Sequence, residues 1–177
     1  MILAFDTTAL SHFARASRLD TLEKVTEAHR RVVPGPVLSE IRSGVGLYPA
    51  LNQVMAANWY EIADLSPAPE MAAFIDYQIE FDPTGFRHAG EAAVLAFSRV
   101  HNAIAVLDDR VATHAAERDH INVRSTLTLI INGYADGYLT RSEAESLVDD
   151  LLPTDIRLPI TSGAGLFAWA YTQGHLT

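Results

Sequence analysis

Two short apolar runs, about a hundred residues apart, each end in aspartate. Ile2-Leu3-Ala4-Phe5 runs into Asp6, and Ala103-Ile104-Ala105-Val106-Leu107 runs into Asp108-Asp109. A continuous apolar run of this length is the pattern of a strand buried on both faces. Further strands are expected at Val32-Val33, at Trp59 to Ala63 and at Ile121 to Val123. Segments of helical character fall between them. Asp20-x-x-Glu23 has capping-box spacing and predicts a helix over about 20–29. A second helix follows Pro34-Gly35-Pro36, with Val37, Leu38 and Ile41 on one face. Others are expected from Pro49 to about Ala57, Pro67 to Glu80, Gly90 to about His101, between the strands at 103–107 and 121–123, and at about 125–135 and 140–152. Phe81 to Gly85 reads as a loop. The tail from Gly165 to Gln173, with Leu166, Phe167, Trp169 and Tyr171, is expected to pack back on the body. Such alternation specifies an α/β fold, a central parallel sheet with helices on both faces. In that class the functional crevice lies beyond the carboxyl ends of the strands.

Composition narrows the chemistry. The chain has 177 residues, 49% of them hydrophobic, which suits one domain with a sizeable core. It has no apolar run long enough to span a bilayer, and its opening residues lack the basic region of a signal peptide. Cysteine is absent, which excludes disulfides, thiolate metal sites and cysteine nucleophiles. A cytoplasmic protein is the expectation. The formal net charge of −9 is the opposite of a broad nucleic-acid-binding surface. Any nucleic acid must be met by a local patch, by metal ions or with a partner's help. Lys24 is the only lysine; every other cationic side chain is arginine.

If both aspartate-ended strands are central and parallel, Asp6 and the Asp108-Asp109 pair share one edge of the sheet. Glu40 sits in the helix after the second strand. Glu91 sits in the first turn of the apolar helix that opens at Gly90. Two carboxylates 4 Å apart repel by about 4 kcal/mol at an effective dielectric near 20. A converging set therefore needs protons or a cation. Hard oxygen ligands without cysteine or a histidine pair favour magnesium or manganese over zinc. Such a centre can direct water onto a phosphodiester. Each residue alone has a plainer reading: a strand-end Asp caps a helix, and a first-turn Glu complements the helix dipole.

Together the motifs Asp6-Thr7-Thr8, Val33-Pro34 with Val37-Leu38-Ser39-Glu40-Ile41, Gly90-Glu91-Ala92 and Leu107-Asp108-Asp109-Arg110 resemble the acidic quartet of PIN-domain ribonucleases. They are most similar to the VapC-like toxin branch. The resemblance covers about residues 1–135 and leaves 136–177 as a C-terminal helical extension packed on the same domain. It implies a single three-layer PIN-like domain with strand order 3-2-1-4-5. The implied activity is metal-dependent endoribonuclease cleavage with Mg2+ or Mn2+, and the implied partners are an RNA substrate, a homodimer and often an antitoxin protein. The implied metal-binding and catalytic carboxylates are Asp6, Glu40, Glu91 and Asp109 or Asp108, with Asp109 favoured. Thr8 matches the family's small hydroxyl position, and Arg110 is placed to contact substrate. Two departures stand out: Leu107 occupies the position where many members have Thr, and the extension exceeds a minimal domain.

Competing enzymes lack their residues. Haloacid-dehalogenase-like phosphatases need an Asp two positions after the first, where this chain has Thr8. Receiver domains need a lysine at a strand end, and Lys24 lies in a predicted helix. P-loop chemistry needs a Gly-Lys-Ser/Thr run. The alternative from another class is a PIN-like binding module, catalytically weak, acting within a protein or RNA complex. Metal-dependent cleavage separates the two.

Overall fold

The computed structural model describes residues 1–85 and 87–177. Strands β1 (Ile2–Phe5), β2 (Arg30–Pro34), β3 (Glu61–Ala63), β4 (Ile104–Val106) and β5 (Val123–Arg124) form one sheet in the order β3-β2-β1-β4-β5. Every pairing is parallel. The helices are α1 (Thr7–Arg15), α2 (Leu19–Val25), α3 (Gly35–Gly44), α4 (Asn52–Ala56), α5 (Ala68–Phe81), α6 (Ala89–His101), α7 (Arg110–Arg118), α8 (Thr126–Ala135), α9 (Arg141–Leu151) and α10 (Leu166–Thr172). The expected α/β class and strand order are the observed ones.

β1 is the middle strand. Leu3, Ala4 and Phe5 are fully buried, as a strand covered on both faces requires. β2 and β4 flank it, in register from Ile2 opposite Arg30 and from Leu3 opposite Ile104. The backbone N–H of Asp6 still donates to the carbonyl of Val106, so the ladder carries Asp6 to the rim of the sheet. β3 is a short edge strand, tied to β2 by the ion pair of Arg30 and Glu61. The apolar helix α6 packs on β1, β2 and β4, and α5 packs on α6. On α8 rest α9 and α10. No helix among the described residues is long and apolar enough to cross a membrane.

Several expectations needed correction. α1 was not foreseen, although Ala9, Leu10, Phe13 and Ala14 have helical spacing and all are buried. α2 starts at Leu19 and ends at Val25, four residues short of the expected end. Asp20 does not cap it: its carboxylate takes the N–H of Thr21 at 2.8 Å, and the cap position is Arg18 without a side-chain bond. The helix stops where the Thr26 hydroxyl donates back to the carbonyl of Leu22. A capping box does form at Thr140 and Glu143, opening α9. β3 omits Trp59 and Tyr60, which turn inward: Trp59 meets the Phe5 ring edge-on, and the Tyr60 hydroxyl donates to the carbonyl of Val54. β5 begins at Val123, two residues later than expected. In the tail Leu166 and Phe167 are buried as expected, but Tyr171 is 57% exposed because it falls on the outer face of α10.

The tail is held by a close backbone approach. The N–H of Gly163 donates to the Asp149 carboxylate at 2.7 Å, and a Cβ at that position would fall onto the carbonyl of Glu145 in α9. Gly163→Ala must therefore push the tail off α9. We expect a loss of about 2 kcal/mol or more in chemical denaturation; an unchanged midpoint would show that this contact yields freely.

Candidate functional site

Strand β1 delivers Asp6 to the rim, where it caps α1. Its Oδ2 accepts the N–H of Thr8 at 3.2 Å. The side chain is almost fully buried, and Oδ1 has no hydrogen-bond donor among the described residues. A buried carboxylate oxygen without a donor is costly and calls for an explanation. Two further carboxylates surround it. Glu40, on α3, accepts the Thr7 hydroxyl on Oε2 at 2.5 Å and the Gly90 N–H on Oε1 at 2.8 Å. Glu91, in the first turn of α6, faces His88 Nδ1 at 3.3 Å. One oxygen from each of Asp6, Glu40 and Glu91 lies within 4.8 Å of the others. Gly90 makes this approach feasible. A Cβ there would sit 2.6 Å from Glu40 Oε2 and 3.1 Å from Asp6 Oδ1.

The electrostatics follow from this packing. Burial, and then the charge of Glu91, push the Asp6 carboxyl up to about 7, against the lowering effect of the Thr7 and Thr8 backbone N–H groups. Without a cation, a proton on Asp6 is therefore favoured below about pH 7.

Asp108 and Asp109 fall outside this trio. Both oxygens of Asp108 are engaged by Thr126, Oδ1 with its N–H at 3.0 Å and Oδ2 with its hydroxyl at 2.6 Å. Burial raises the Asp108 carboxyl above its ordinary range while those bonds oppose the rise. Asp109 caps α7 through Oδ1, which accepts the N–H groups of Val111 and Ala112. Its Oδ2 makes no hydrogen bond among the described residues. Both aspartates nevertheless line one groove of about 250 Å³ together with Glu91 and Thr8. Arg110 is exposed at the start of α7 and does not line that groove.

The sequence reading placed Glu40 in the set but missed the two groups that fix it, the Thr7 hydroxyl and the Gly90 N–H. It named no histidine as a candidate. His88 instead stands beside Glu91, with a left-handed backbone (φ 62°) that opens α6. His12 also lines the groove. Neither has a motif at regular spacing, so the sequence carried no signal for them.

The sheet order and this edge of carboxylates describe a known architecture, and the model of the PIN-domain family matches residues 2–163. The chain belongs to the PIN-domain family. None of the curated proteins matches it. PIN domains are in general nucleases that work with divalent metal ions. The matched segment runs past residue 135 and includes α9. In this PIN domain the donor set fits a hard divalent cation: three carboxylates converge, and one buried oxygen lacks a donor among the described residues.

The titration of Asp6 gives a signed expectation. Its folded pKa lies above the unfolded value near 3.9, so its contribution to stability is complete below about pH 4 and is lost as pH rises through about 7. In chelator, Asp6→Asn should melt higher than wild type at pH 8 and differ little at pH 4. The comparison isolates this group from other titrations, and equal melting differences at both pH values would contradict the burial argument. Manganese should bind Glu91→Gln at least several-fold more weakly than wild type, since an amide is a poorer ligand for a hard cation. Calorimetric titration with unchanged affinity would remove Glu91 from the set.

Proposed function

We propose that this PIN domain is a metal-dependent endoribonuclease that hydrolyses RNA phosphodiester bonds. The observation that carries the reading is the buried oxygen of Asp6, without a donor among the described residues, where three carboxylates converge. Asp6, Glu40 and Glu91 would hold Mg2+ or Mn2+, with Asp109, and more remotely Asp108, facing it across the groove. The bound ion supplies Lewis acidity to the phosphate and to an attacking water. The chain's own residues set the geometry. Thr7 and the Gly90 N–H hold Glu40 in one orientation. The two N–H groups of α7 fix Asp109 so that Oδ2 remains free for the groove. Thr126 holds Asp108 on the same groove through its N–H and hydroxyl. Thr8 offers a hydroxyl on the groove wall where substrate enters.

The finer reading, a VapC-like toxin with an antitoxin and a homodimer, rests on the motif resemblance. Two surfaces support protein partners. Met71, Ile75 and Ile79 are exposed at helical spacing along α5. Beside Glu40 lies an apolar hollow of about 730 Å³ bordered by Pro36, Ser43, Phe74 and Ala89. The helices after residue 135 would then be an extension of the same domain, since α9 packs on α1 and α8.

The test is incubation of a mixed RNA pool with the purified protein in manganese, magnesium or chelator, beside Asp6→Asn. Metal-dependent cleavage that falls at least a hundredfold in the variant, a loss typical of removing a central charged group, is the expected result. Manganese binding with no cleavage would favour the binding-module reading instead.

A further inference from the structure

A nuclease site built from carboxylates has to attract a phosphate, which carries the same charge. The groove beside the trio is lined by Glu91, Asp108, Asp109 and Asp155, and by Arg157 as its sole lysine or arginine. His12, on the same wall, adds no charge near neutrality: burial, then the nearby Arg15, push its imidazole down to about 4. Five other arginines are committed to carboxylates: Arg15, Arg18, Arg30, Arg118 and Arg141. Arg157 is exposed and makes no ion pair among the described residues.

Its position is built. The end of α9 and the chain after it are tied to α1 and the turn that follows α1 at three successive points. Arg18 grips Asp150 at 2.6 Å, His12 Nδ1 meets the Thr154 hydroxyl at 2.7 Å, and Arg15 reaches Asp155 at 3.5 Å. The Thr154 hydroxyl donates its own proton to the carbonyl of Leu151 at 2.6 Å, so it accepts from His12 and fixes the imidazole tautomer. Thr154 and Ile156 are buried and alternate with the exposed Asp155 and Arg157. That alternation turns residue 157 outward on the groove side.

From this placement we propose that Arg157 is a substrate-binding residue of the nuclease, a guanidinium that takes a phosphate of single-stranded RNA next to the one being cut. The segment 154–157 is then the second wall of the active groove. A planar fork of N–H donors suits a phosphate in this role. The assignment rests on the nuclease reading above.

The experiment compares wild type with Arg157→Gln, Arg157→Lys and Lys24→Gln, using manganese and a single-stranded RNA oligonucleotide cut by the wild type. Lys24 serves as a control because it removes the same charge outside the groove. Arg157→Gln should raise KM roughly tenfold, the effect of losing one charge-assisted hydrogen bond, with kcat within about twofold. Its manganese affinity and melting temperature should stay unchanged. Arg157→Lys should recover part of the loss, and Lys24→Gln should leave KM as it is. In the Asp6→Asn background, the salt dependence of RNA binding should fall by about 0.7 in log–log slope when Arg157 is removed. An unchanged KM, an equal rise in Lys24→Gln, or a loss confined to kcat would overturn the assignment while the nuclease reading stands. A wild type that neither cuts nor binds RNA would overturn the nuclease reading, and this assignment with it.

Discussion

Asp6 brings a carboxylate into the protein interior and leaves one of its oxygens without a donor among the described residues. Desolvation makes an isolated charge there unfavourable, and the neighbouring charge of Glu91 makes it more so. The molecule has two ways to tolerate this, a proton or a cation, and the rest of the site is arranged so that either can be accommodated. Glu40 is held by two donors from other elements. Gly90 contributes no side chain where one would collide. Metal binding at such a site would be coupled to release of the Asp6 proton.

The parallel sheet is the device that assembles the trio. All five strands point the same way, so the loops that follow β1 and β2 open onto one rim. Asp6 follows β1 directly, Glu40 comes from the helix after β2, and Glu91 comes from the start of the helix that leads into β4. No pair of them is near in sequence. Their convergence is a property of topology, and it explains how an acidic chain can host phosphate chemistry: charge is concentrated at one place and answered there.

Much of this was legible in the residues. The runs at 2–5 and 103–107 are apolar without alternation because both their faces are covered, and that marks them as inner strands. The aspartates that end them announce the rim. Local signals failed where tertiary contacts decided. Asp20-x-x-Glu23 has the spacing of a capping box, yet Arg18 holds the cap position while its guanidinium is drawn to Asp150. The sequence favours Asp109 over Asp108 but does not carry the physical difference between them, which lies in Thr126: it occupies both oxygens of Asp108 and neither of Asp109. The bond between His12 and Thr154 joins residues 142 positions apart, and no periodicity encodes it.

The central place of β1 also governs the order in which the molecule can be built. Its partner β2 is available within about thirty residues, but its other partner, β4, begins only at Ile104. During synthesis at about 5–20 residues per second, one edge of the most apolar strand stays open for several seconds to tens of seconds. Until β4 arrives, the rim that carries Asp6 is only half formed, and Glu91 has barely emerged. The trio of Asp6, Glu40 and Glu91 is therefore complete only when the strand order closes around its first strand.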